Sequence, residues 1–492
     1  MENELKLSLK PGVASRLVKH HLLTQSAPVH RTIRRTYFDT PDLRLQREKV
    51  VVRQWQDGGR RLSSVSLPAR PGPAPGKHYE WEVAGAPGAL DFSVVDDERL
   101  RAWLESMRGD LRPAFTTRFT RRAWLVQPRT GVRIEVALDR GWIEAQGRRE
   151  PICELGVELL SGSVTDLFST VGELQNDIAL HPHTHSKLQR GYRVLADQAS
   201  PVVVKALPLE TDAGMTTVDA FRLIARACVR HLQGNEQGVL ASEDPEYIHQ
   251  ARVAIRRLRS AIRVWRTLLP ETFVSTFDPS WQRLARHLGE ARNWDVFLVE
   301  TLPQVLARFP DDRQAHAVFD YARQQCAGNR RTVRRALRSA DYSRLLVNFQ
   351  AAVRVLPKLG SRCLGAFAPR CLEKRARQVE RLAAEATTGD AAARHRLRVA
   401  CKRLRYALEF FTPLFTGSEG FACYHAVASK LQEVLGRLND LAVADQLVEQ
   451  ALTGDAGQSI RAWLADQGEA LLPDLGALLQ EFGHLEAPWR KC

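Results

Sequence analysis

The sequence has no long apolar run of the kind found in membrane proteins. No stretch of its 492 residues approaches the roughly 18 to 20 consecutive apolar residues that a membrane helix needs. The first residues, Met1 to Glu4, are acidic and lead directly into a strand-like pattern, without the basic and apolar regions of a signal peptide. A membrane bundle is therefore excluded, and we predict a cytoplasmic protein with no membrane partner.

Cysteine pairs are also absent from the chain. The eight cysteines are scattered between Cys153 and Cys492, and none forms a C-x-x-C motif. Cys228 and Cys401 fall within helical patterns among apolar neighbours, where buried thiols are common. Scattered thiols of this kind are typical of a reducing compartment, which agrees with the predicted cytoplasmic location.

Acidic residues are scarce in one stretch of the chain. In total, 71 Lys and Arg face 56 Asp and Glu, which gives a net charge of +15. Residues 252–405 alone hold 32 basic and 13 acidic residues, whereas residues 1–200 hold 30 and 24. Arginine supplies 59 of the 71 basic residues, and its guanidinium suits bidentate contacts to phosphate. A GC-rich genome would explain the preference for arginine but not its clustering, so the charge predicts an anionic partner.

Two hydrophobic periodicities divide the chain. Residues 1–198 mostly alternate apolar and polar side chains between turn signals, which predicts many antiparallel strands with a few helices. Residues 199–214 contain two prolines and no amphipathic pattern, which predicts a linker. Helical periodicity continues through most of residues 215–492. We therefore predict an α+β domain over 1–198, followed by an all-α domain over 215–492.

Charged residues alternate with apolar ones in four strand-like segments of the first half. The charged positions are Glu2, Glu4 and Lys6; Glu80 and Glu82; Arg133, Glu135 and Asp139; and Glu154 and Glu158. Side chains at i and i+2 share one face of a strand, so each segment has a charged face. A strand with one wet face explains any single segment. Alternatively, a closed antiparallel barrel would turn the charges inward, where carboxylates and cations together suit a metal-bound polyphosphate.

These segments resemble the CYTH domains, the triphosphate tunnel metalloenzymes. Glu2-x-Glu4-x-Lys6 matches the E-x-E-x-K signature of that family. Further matches follow in the same order over about residues 1–195: Thr36-Tyr37-Phe38-Asp39-Thr40-Pro41, Glu80-Trp81-Glu82, Ala137-Leu138-Asp139-Arg140-Gly141, Ile152-Cys153-Glu154-Leu155 and Ser186-Lys187-Leu188-Gln189-Arg190-Gly191-Tyr192. The resemblance implies an eight-stranded antiparallel β tunnel with flanking helices. It also implies that bound Mg²⁺ or Mn²⁺ activates water to hydrolyse inorganic triphosphate or a short polyphosphate.

The resemblance also implies roles for individual residues. The implied catalytic residues are Glu2, Glu4, Lys6, Glu80 and Glu82. The implied phosphate-binding residues are Arg53, Arg121, Arg133, Lys187 and Arg190. The implied metal ligands are Glu2, Glu4, Glu135, Asp139, Glu154 and Glu158.

Three positions depart from the family pattern. Val51 replaces the first Arg of L-R-x-R, Pro68 replaces the Lys of T-L-K, and Gly156 replaces the middle acid of E-x-E-x-E. The loss of one charged contact commonly costs roughly 10² to 10³ in rate. The departures therefore leave an alternative open, in which the tunnel turns over slowly and the chain acts as an adaptor that binds polyphosphate or polyphosphate granules.

A basic helical segment occurs twice in the second half. Residues 249–261 and 395–407 match at eight of 13 positions with an offset of 146, which indicates an internal duplication. Each copy separates an apolar stripe from a basic one. The basic stripes contain His249, Arg252, Arg256, Arg259, Arg263, His395, Arg398, Lys402 and Arg405. A solvated face explains one such stripe, but few acids offset these repeated like charges, so an anionic ligand is the simpler explanation.

The paired segments resemble the CHAD domain, a helical module of two similar four-helix halves. The match covers roughly residues 216–484 and implies a basic pore or groove that binds inorganic polyphosphate. Nucleic acid is the weaker alternative, because the stripes lack interleaved aromatic residues and no helix-turn-helix or RNA-binding signature occurs. The prediction for the whole chain is a metal-dependent inorganic triphosphatase fused to a polyphosphate-binding module.

Overall fold

The described part of the chain forms two compact units. The computed structural model describes residues 4–57, 60–67, 79–84, 90–183, 185–198, 202–357, 363–387, 391–452 and 456–490. The first unit comprises Met1–Pro201 with Ala340–Ala351, and the second comprises Val202–Ser339 with Ala352–Cys492. Two positions singled out in the sequence, Glu2 and Pro68, lie outside the described residues.

The first unit is built on one antiparallel sheet. Its strands are β1 (Glu4–Ser8), β2 (Val29–Asp39), β3 (Val51–Asp57), β4 (Arg60–Leu67), β5 (Tyr79–Ala84), β6 (Arg112–Val126), β7 (Arg133–Ala145), β8 (Arg148–Ser161) and β9 (His181–Pro182). They lie in the order β5-β4-β3-β2-β6-β7-β8-β1-β9. The predicted antiparallel sheet is confirmed. The predicted count of eight strands is wrong, because the two residues of β9 also pair with β1.

Helices flank this sheet, as predicted. They are α1 (Ala14–Leu17), α2 (His21–Thr24), α3 (Arg44–Arg47), α4 (Glu98–Ser106), α5 (Val164–Asp177) and α6 (Lys187–Leu195). Both α5 and α6 begin at capping boxes, in which Ser163 and Ser186 satisfy free backbone N–H groups of the first turn. One face of the central strands packs against α5 through fully buried apolar residues that include Ile134, Val157 and Val171.

Helix α6 packs closely on the sheet at one end of β6. The ring of Tyr192 makes an edge contact with Phe115, and its hydroxyl donates a hydrogen bond to Asp39 Oδ2 at 2.8 Å. Gly191 permits this approach, because a Cβ at that position would lie 2.1 Å from the Phe115 ring. This packing fixes the start of α6, where Lys187 is the first helical residue.

The remaining helices follow the first unit in the sequence. They are α7 (Thr217–Ala241), α8 (Pro245–Val264), α9 (Glu271–Val296), α10 (Leu302–Arg308), α11 (Arg313–Leu337), α12 (Ala340–Val355), α13 (Leu364–Thr387), α14 (Ala391–Phe411), α15 (Glu419–Ala451), α16 (Gln458–Glu469) and α17 (Leu472–His484). The predicted all-α architecture is confirmed. In the ranges that the structure describes, no helix is both long enough and apolar enough to cross a membrane.

The helices of the second unit repeat at nearly the sequence offset of 146. The paired starts are Thr217 and Leu364, Pro245 and Ala391, Glu271 and Glu419, and Arg313 and Gln458. The two basic helices, α8 and α14, pack against each other. Their apolar stripes are buried around Trp265, which contacts Phe410 and Phe411 of α14. The duplication in the sequence is therefore also a duplication of structure.

Helix α12 contributes to the core of the first unit. Val347 is buried in the same cluster as Ile134 and Val157. His181 Nδ1 of β9 lies 2.9 Å from Ser343 Oγ, and Arg344 donates a hydrogen bond to the Gln175 carbonyl at 3.2 Å. The first unit therefore includes a segment that is distant in the sequence.

We expect Gly191→Ala to lower the free energy of unfolding by about 1 to 3 kcal/mol, because the added methyl group would overpack the buried Phe115 ring. Gly172→Ala is the matched control. Gly172 also lies in a helix but has no atom within 4 Å of an added Cβ, so the free energy of unfolding should rise by roughly 0.5 to 1 kcal/mol. Denaturant unfolding measures both, and equal effects would contradict the close packing of α6.

Candidate functional site

The register of the sheet brings charges from separate strands onto one face. Directly paired residues of an antiparallel sheet point to the same side. Glu4 pairs with Glu158, which pairs with Glu135. Four residues further along the strands, Glu154 pairs with Asp139, which pairs with Arg121. The register continues this surface across β2 to β5 and adds Arg31, Arg35, Arg53, Glu80 and Glu82. We call these residues, together with Lys6, the charged face.

Three carboxylates form a row on the charged face. Glu158 lies between Glu4 and Glu135 on neighbouring strands. The one cation within 4 Å of this row, among the residues that the structure describes, is Lys6, whose Nζ lies 3.4 Å from Glu4 Oε2. Like charges directly opposite each other destabilise a sheet unless a cation neutralises them. Oxygen ligands of this kind suit Mg²⁺ or Mn²⁺, so this row supplies the type of donor that a divalent cation takes.

The other two described carboxylates in the implied metal set, Asp139 and Glu154, have basic partners. Lys187 Nζ lies 2.9 Å from Asp139 Oδ2 and 2.6 Å from Glu154 Oε2. Arg121 donates two hydrogen bonds to Asp139, at 2.7 and 2.9 Å. Burial raises the pKa of Asp139, but its hydrogen bonds and ion pairs with Arg121 and Lys187 outweigh that effect, so its pKa is lowered. These carboxylates therefore hold Arg121 and Lys187 in position.

Arg190 and Arg133 differ from the other implied phosphate ligands. Arg190 is buried, and its guanidinium donates to Glu150 at 2.6 Å, to the Pro151 carbonyl at 2.5 Å and to Glu154. These bonds occupy its donors and fix Glu154 beside Lys187. Arg133 is exposed and lies next to a register shift at the start of β7. Neither guanidinium belongs to the surface formed by Arg121 and Lys187.

Arg35 is a cation of the charged face that the sequence analysis missed. It is half-buried, and its Nε atom has no hydrogen-bond partner within the described ranges. Burial lowers its pKa, and the nearby charges of Arg53 and Arg121 lower it further. Arg53 donates to Ser64 Oγ at 3.1 Å and also contacts Glu80. A buried, unpaired donor beside two further guanidiniums indicates a site for an anion.

Two departures from the family pattern have a structural explanation. Gly156 pairs with Lys6 and Ala137, and a Cβ at Gly156 would lie 3.2 Å from Glu4 Oε1. A glutamate at that position would therefore compete with Glu4 for space. Val51 packs against the apolar cluster that includes Phe115, so it extends the core at the end of the charged face.

The two basic helices line one cavity in the second unit. The cavity has a volume of about 170 Å³. Its lining from α8 and α14 comprises His249, Arg252, Arg256, Arg398 and Lys402. Four other predicted residues do not line it. Arg259 pairs with Asp278 at 3.0 Å, Arg405 donates to Gln432, and Arg263 and His395 are exposed. The structure therefore brings together five of the nine predicted polyphosphate ligands.

Positive charge in this cavity is crowded and poorly hydrated. Burial, together with the charges of Arg256 and Arg398, lowers the pKa of Arg252 to about 10. The Nε atom of Arg398 is buried without a hydrogen-bond partner in the described part of the molecule. Arg292 also lines the cavity, and the acids that line it are Asp440 and Glu300. Such a concentration of cations favours an anionic ligand.

A separate cluster contains His20, His21 and Asp177. His20 Nε2 lies 3.2 Å from Asp177 Oδ2, and His21 Nε2 lies 2.7 Å from Glu173 Oε1. His20 caps α2, because its Nδ1 atom accepts a hydrogen bond from the Leu22 backbone at 3.3 Å. Its Nδ1 lone pair is used in this cap, which assigns the proton to Nε2, the atom that faces Asp177. The cluster has a structural role at the start of α2.

Two family models match the chain. The CYTH domain model covers residues 1–192, and the CHAD domain model covers residues 223–449. The chain is a CYTH–CHAD two-domain protein. The charged face lies in the CYTH domain, and the basic cavity lies in the CHAD domain.

Individual proteins resemble one domain or the other. An inorganic triphosphatase from Haemophilus influenzae is 31% identical over 203 residues, which is 39% of this chain and 54% of that protein. The chain thus spans about half the length of this curated relative. The crystal structure of the CHAD domain from the plant Ricinus communis is 31% identical, with a TM-score of 0.49, and the alignment covers 56% of this chain and 96% of that one. A Hippeastrum protein described as having a dominant triphosphatase activity is 16% identical, with a TM-score of 0.28, and covers 39% of this chain and 95% of its own.

We expect Asp139→Asn to lower the free energy of unfolding of the CYTH domain by about 3 to 5 kcal/mol at pH 7, because Lys187 and Arg121 would lose a buried partner. The stabilisation should be fully present above about pH 4, the pKa of an unfolded Asp, and should be lost as the pH falls through the lower folded value. Denaturant unfolding between pH 2.5 and 7 measures this difference.

Glu144→Gln is the control for Asp139→Asn. Glu144 lies on the same strand, is exposed and pairs with Arg149, so its replacement should change stability by less than about 1 kcal/mol. Equal or pH-independent effects of the two variants would contradict the importance of the buried network.

Proposed function

We propose that the CYTH domain hydrolyses inorganic triphosphate, or a short polyphosphate, with Mg²⁺ or Mn²⁺. The observation that carries the proposal is the pairing of Glu4, Glu158 and Glu135 in a row on the same face as several guanidiniums. Phosphoryl transfer depends mainly on positioning and on neutralising charge, and this face offers oxygen ligands beside N–H donors. The similarity to an inorganic triphosphatase supports the same chemistry.

Separate residues would hold the metal and the phosphates. In this proposal, Glu4, Glu135 and Glu158 hold the divalent cation. A bound cation of this type neutralises phosphate charge and lowers the pKa of water. Arg35, Arg53, Arg121 and Lys187 donate hydrogen bonds to phosphate oxygens. Asp139, Glu154 and Glu80 act as positioning residues for these cations, because each already contacts one of them.

Slow turnover is the second candidate for the CYTH domain. Val51 and Gly156 remove a cation and a carboxylate that the family pattern has at these positions. In that case the domain would bind phosphate chains, and the protein would act as a polyphosphate-binding adaptor. The two candidates differ in phosphate release, which an assay measures directly.

We also propose that the CHAD cavity binds inorganic polyphosphate, in solution or in granules. The supporting observation is that Arg252, Arg256, Arg398 and Lys402 line one cavity while few acids offset them. A linear chain of phosphates would present an anionic oxygen to each cation along its path. Nucleic acid fits less well, because the lining contains few aromatic rings on which bases would stack.

We infer a cytoplasmic location from the cysteines. All seven cysteines in the described residues are free thiols, although several are buried in the core. Unpaired thiols in a chain of this length fit a reducing compartment.

The wild-type protein should release phosphate from inorganic triphosphate in the presence of Mg²⁺ or Mn²⁺. Glu158→Gln should reduce the rate by roughly 10² to 10³, because it removes the central carboxylate of the metal-binding row. Colorimetric phosphate release measures both rates. Glu144→Gln removes the same charge from the other face of β7, close to the turn into β8 and away from Glu158, and should retain the wild-type rate.

Wild-type turnover no higher than that of Glu158→Gln would reject the enzyme and favour the adaptor. Metal titration adds a separate criterion. The apparent affinity for Mg²⁺ should fall in Glu158→Gln but remain unchanged in Glu144→Gln.

We expect Arg398→Gln to weaken the binding of long-chain polyphosphate by about 10- to 100-fold, because it removes from the cavity a half-buried cation whose Nε atom has no hydrogen-bond partner in the described residues. The same change should leave the thermal stability of the ligand-free protein unchanged or raise it, because burial of this charge is unfavourable and the attraction of Asp440 is opposed by repulsion from Arg256. Arg266→Gln, an exposed position outside the cavity, is the control for net charge. Equal binding by the two variants, measured by calorimetry at fixed salt, would contradict the site.

A further inference from the structure

The two copies of the basic helix differ where they face the cavity. The offset of 146 makes Arg256 equivalent to Lys402, and Ser260 equivalent to Tyr406. Arg256 Nε donates a hydrogen bond to the Tyr406 hydroxyl, and its guanidinium lies 5.4 Å from the ring centroid. Duplication would give Lys402 the corresponding partner Ser260, whose short side chain offers neither contact. The internal symmetry is therefore broken at Lys402.

Lys402 has no carboxylate within salt-bridge distance in the described part of the chain. The charged and titratable groups that line the cavity with it come from four helices and the turn after α9: His249, Arg252 and Arg256 of α8, Arg292 of α9, Glu300 of the turn, Arg398 of α14 and Asp440 of α15. The lining of the cavity therefore places four guanidiniums but two carboxylates around Lys402. The arrangement concentrates positive charge around its amine.

Lysine differs from its arginine neighbours in one chemical respect. A guanidinium stays protonated at any physiological pH, whereas the amine of a buried lysine readily gives up its proton. Repulsion within the cavity can therefore be relieved at Lys402, but not at Arg252, Arg256 or Arg398. Burial, and then the charges of these three arginines, lower the pKa of Lys402 to about 6.

We propose that Lys402 is uncharged in the ligand-free cavity and takes up a proton from solvent when a phosphate chain binds there. The inference rests on the proposed binding of polyphosphate by the CHAD domain. Phosphate oxygens would supply the negative charge that the cavity lacks, and the neutral amine would become an ammonium that donates to them. Binding of the anion and uptake of one proton are then coupled at this residue.

The coupling has a defined direction. A group that is deprotonated when free and protonated when bound makes affinity rise as the pH falls. Below about pH 6 the free amine is already protonated, so the affinity should stop rising. Between about pH 6 and 8, wild-type affinity should increase by up to about tenfold for each unit of pH decrease, relative to a variant whose charge is fixed at this position.

Calorimetry of the full chain in two buffers with different protonation enthalpies tests the proposal. Long-chain polyphosphate is the probe, because few of its phosphates are the terminal groups that titrate near pH 6, and no metal is added. At pH 7.5 the wild type should take up close to one proton per bound site. Lys402→Arg keeps a permanent positive charge at this position and should take up none when it binds polyphosphate.

His249→Gln distinguishes proton uptake by Lys402 from proton uptake by His249, the other basic group of the cavity that titrates near neutral pH. Burial and the charge of Arg292 lower the pKa of His249, so this histidine could also gain a proton. Uptake that persists in His249→Gln and disappears in Lys402→Arg supports the proposal. Two results would overturn the coupling: proton uptake that persists in Lys402→Arg, and no proton uptake by a wild-type protein that binds polyphosphate. Either result would leave the proposed function of the CHAD domain standing.

A titration without ligand distinguishes the remaining outcomes. Reductive methylation with ¹³C gives each lysine an NMR resonance, and comparison with Lys402→Arg assigns the one at Lys402. A midpoint near 6 supports the uncharged state, whereas a midpoint near the ordinary 10.4 overturns it. Absence of any polyphosphate binding by the wild type would overturn both the coupling and the proposed function of the CHAD domain, whatever the titration shows.

Discussion

Like charges lie close together at both sites, with too little opposite charge nearby to neutralise them. In the CYTH domain, Glu4, Glu158 and Glu135 are cross-strand neighbours. In the CHAD domain, Arg252 and Arg398 meet from two copies of one helix. Each arrangement is unfavourable in the ligand-free protein. Under the proposed function, each is also a recognition site, because a ligand of the opposite sign would remove the repulsion when it binds.

The surrounding structure holds these charges in place. The face of β7 and β8 away from the carboxylates is packed with fully buried residues such as Ile134 and Val157. The ion pairs of Asp139 with Arg121 and Lys187 hold these two cations in place. In the CHAD domain, the buried Trp265 joins the core of the two halves. Rigid packing of this kind prevents the like charges from moving apart.

Local periodicity predicted the parts of this account that depend on one strand or one helix. The alternation of Glu4 and Lys6 placed them on one strand face, and the helical spacing placed Arg252, Arg256 and Arg398 on basic stripes. Non-local contacts decided the rest. The ion pair of Asp139 with Lys187 forms only because α6 packs on the sheet. Arg259 pairs with Asp278 and does not line the cavity, and this pair forms only because α9 packs on α8. Arg35 was missed because Arg31, Arg34 and Arg35 do not alternate strictly with apolar residues.

Differential scanning calorimetry of the full chain tests the central claim most directly. Each ligand should stabilise only the domain whose charge it neutralises, by about 2.7 kcal/mol at a concentration 100 times its dissociation constant. Mg²⁺ should therefore raise the unfolding temperature of the CYTH transition, and polyphosphate without metal should raise that of the CHAD transition. Glu158→Gln should reduce the Mg²⁺ shift, and Arg398→Gln should reduce the polyphosphate shift. Undiminished shifts in both variants, or the absence of any shift in the wild type, would contradict the account.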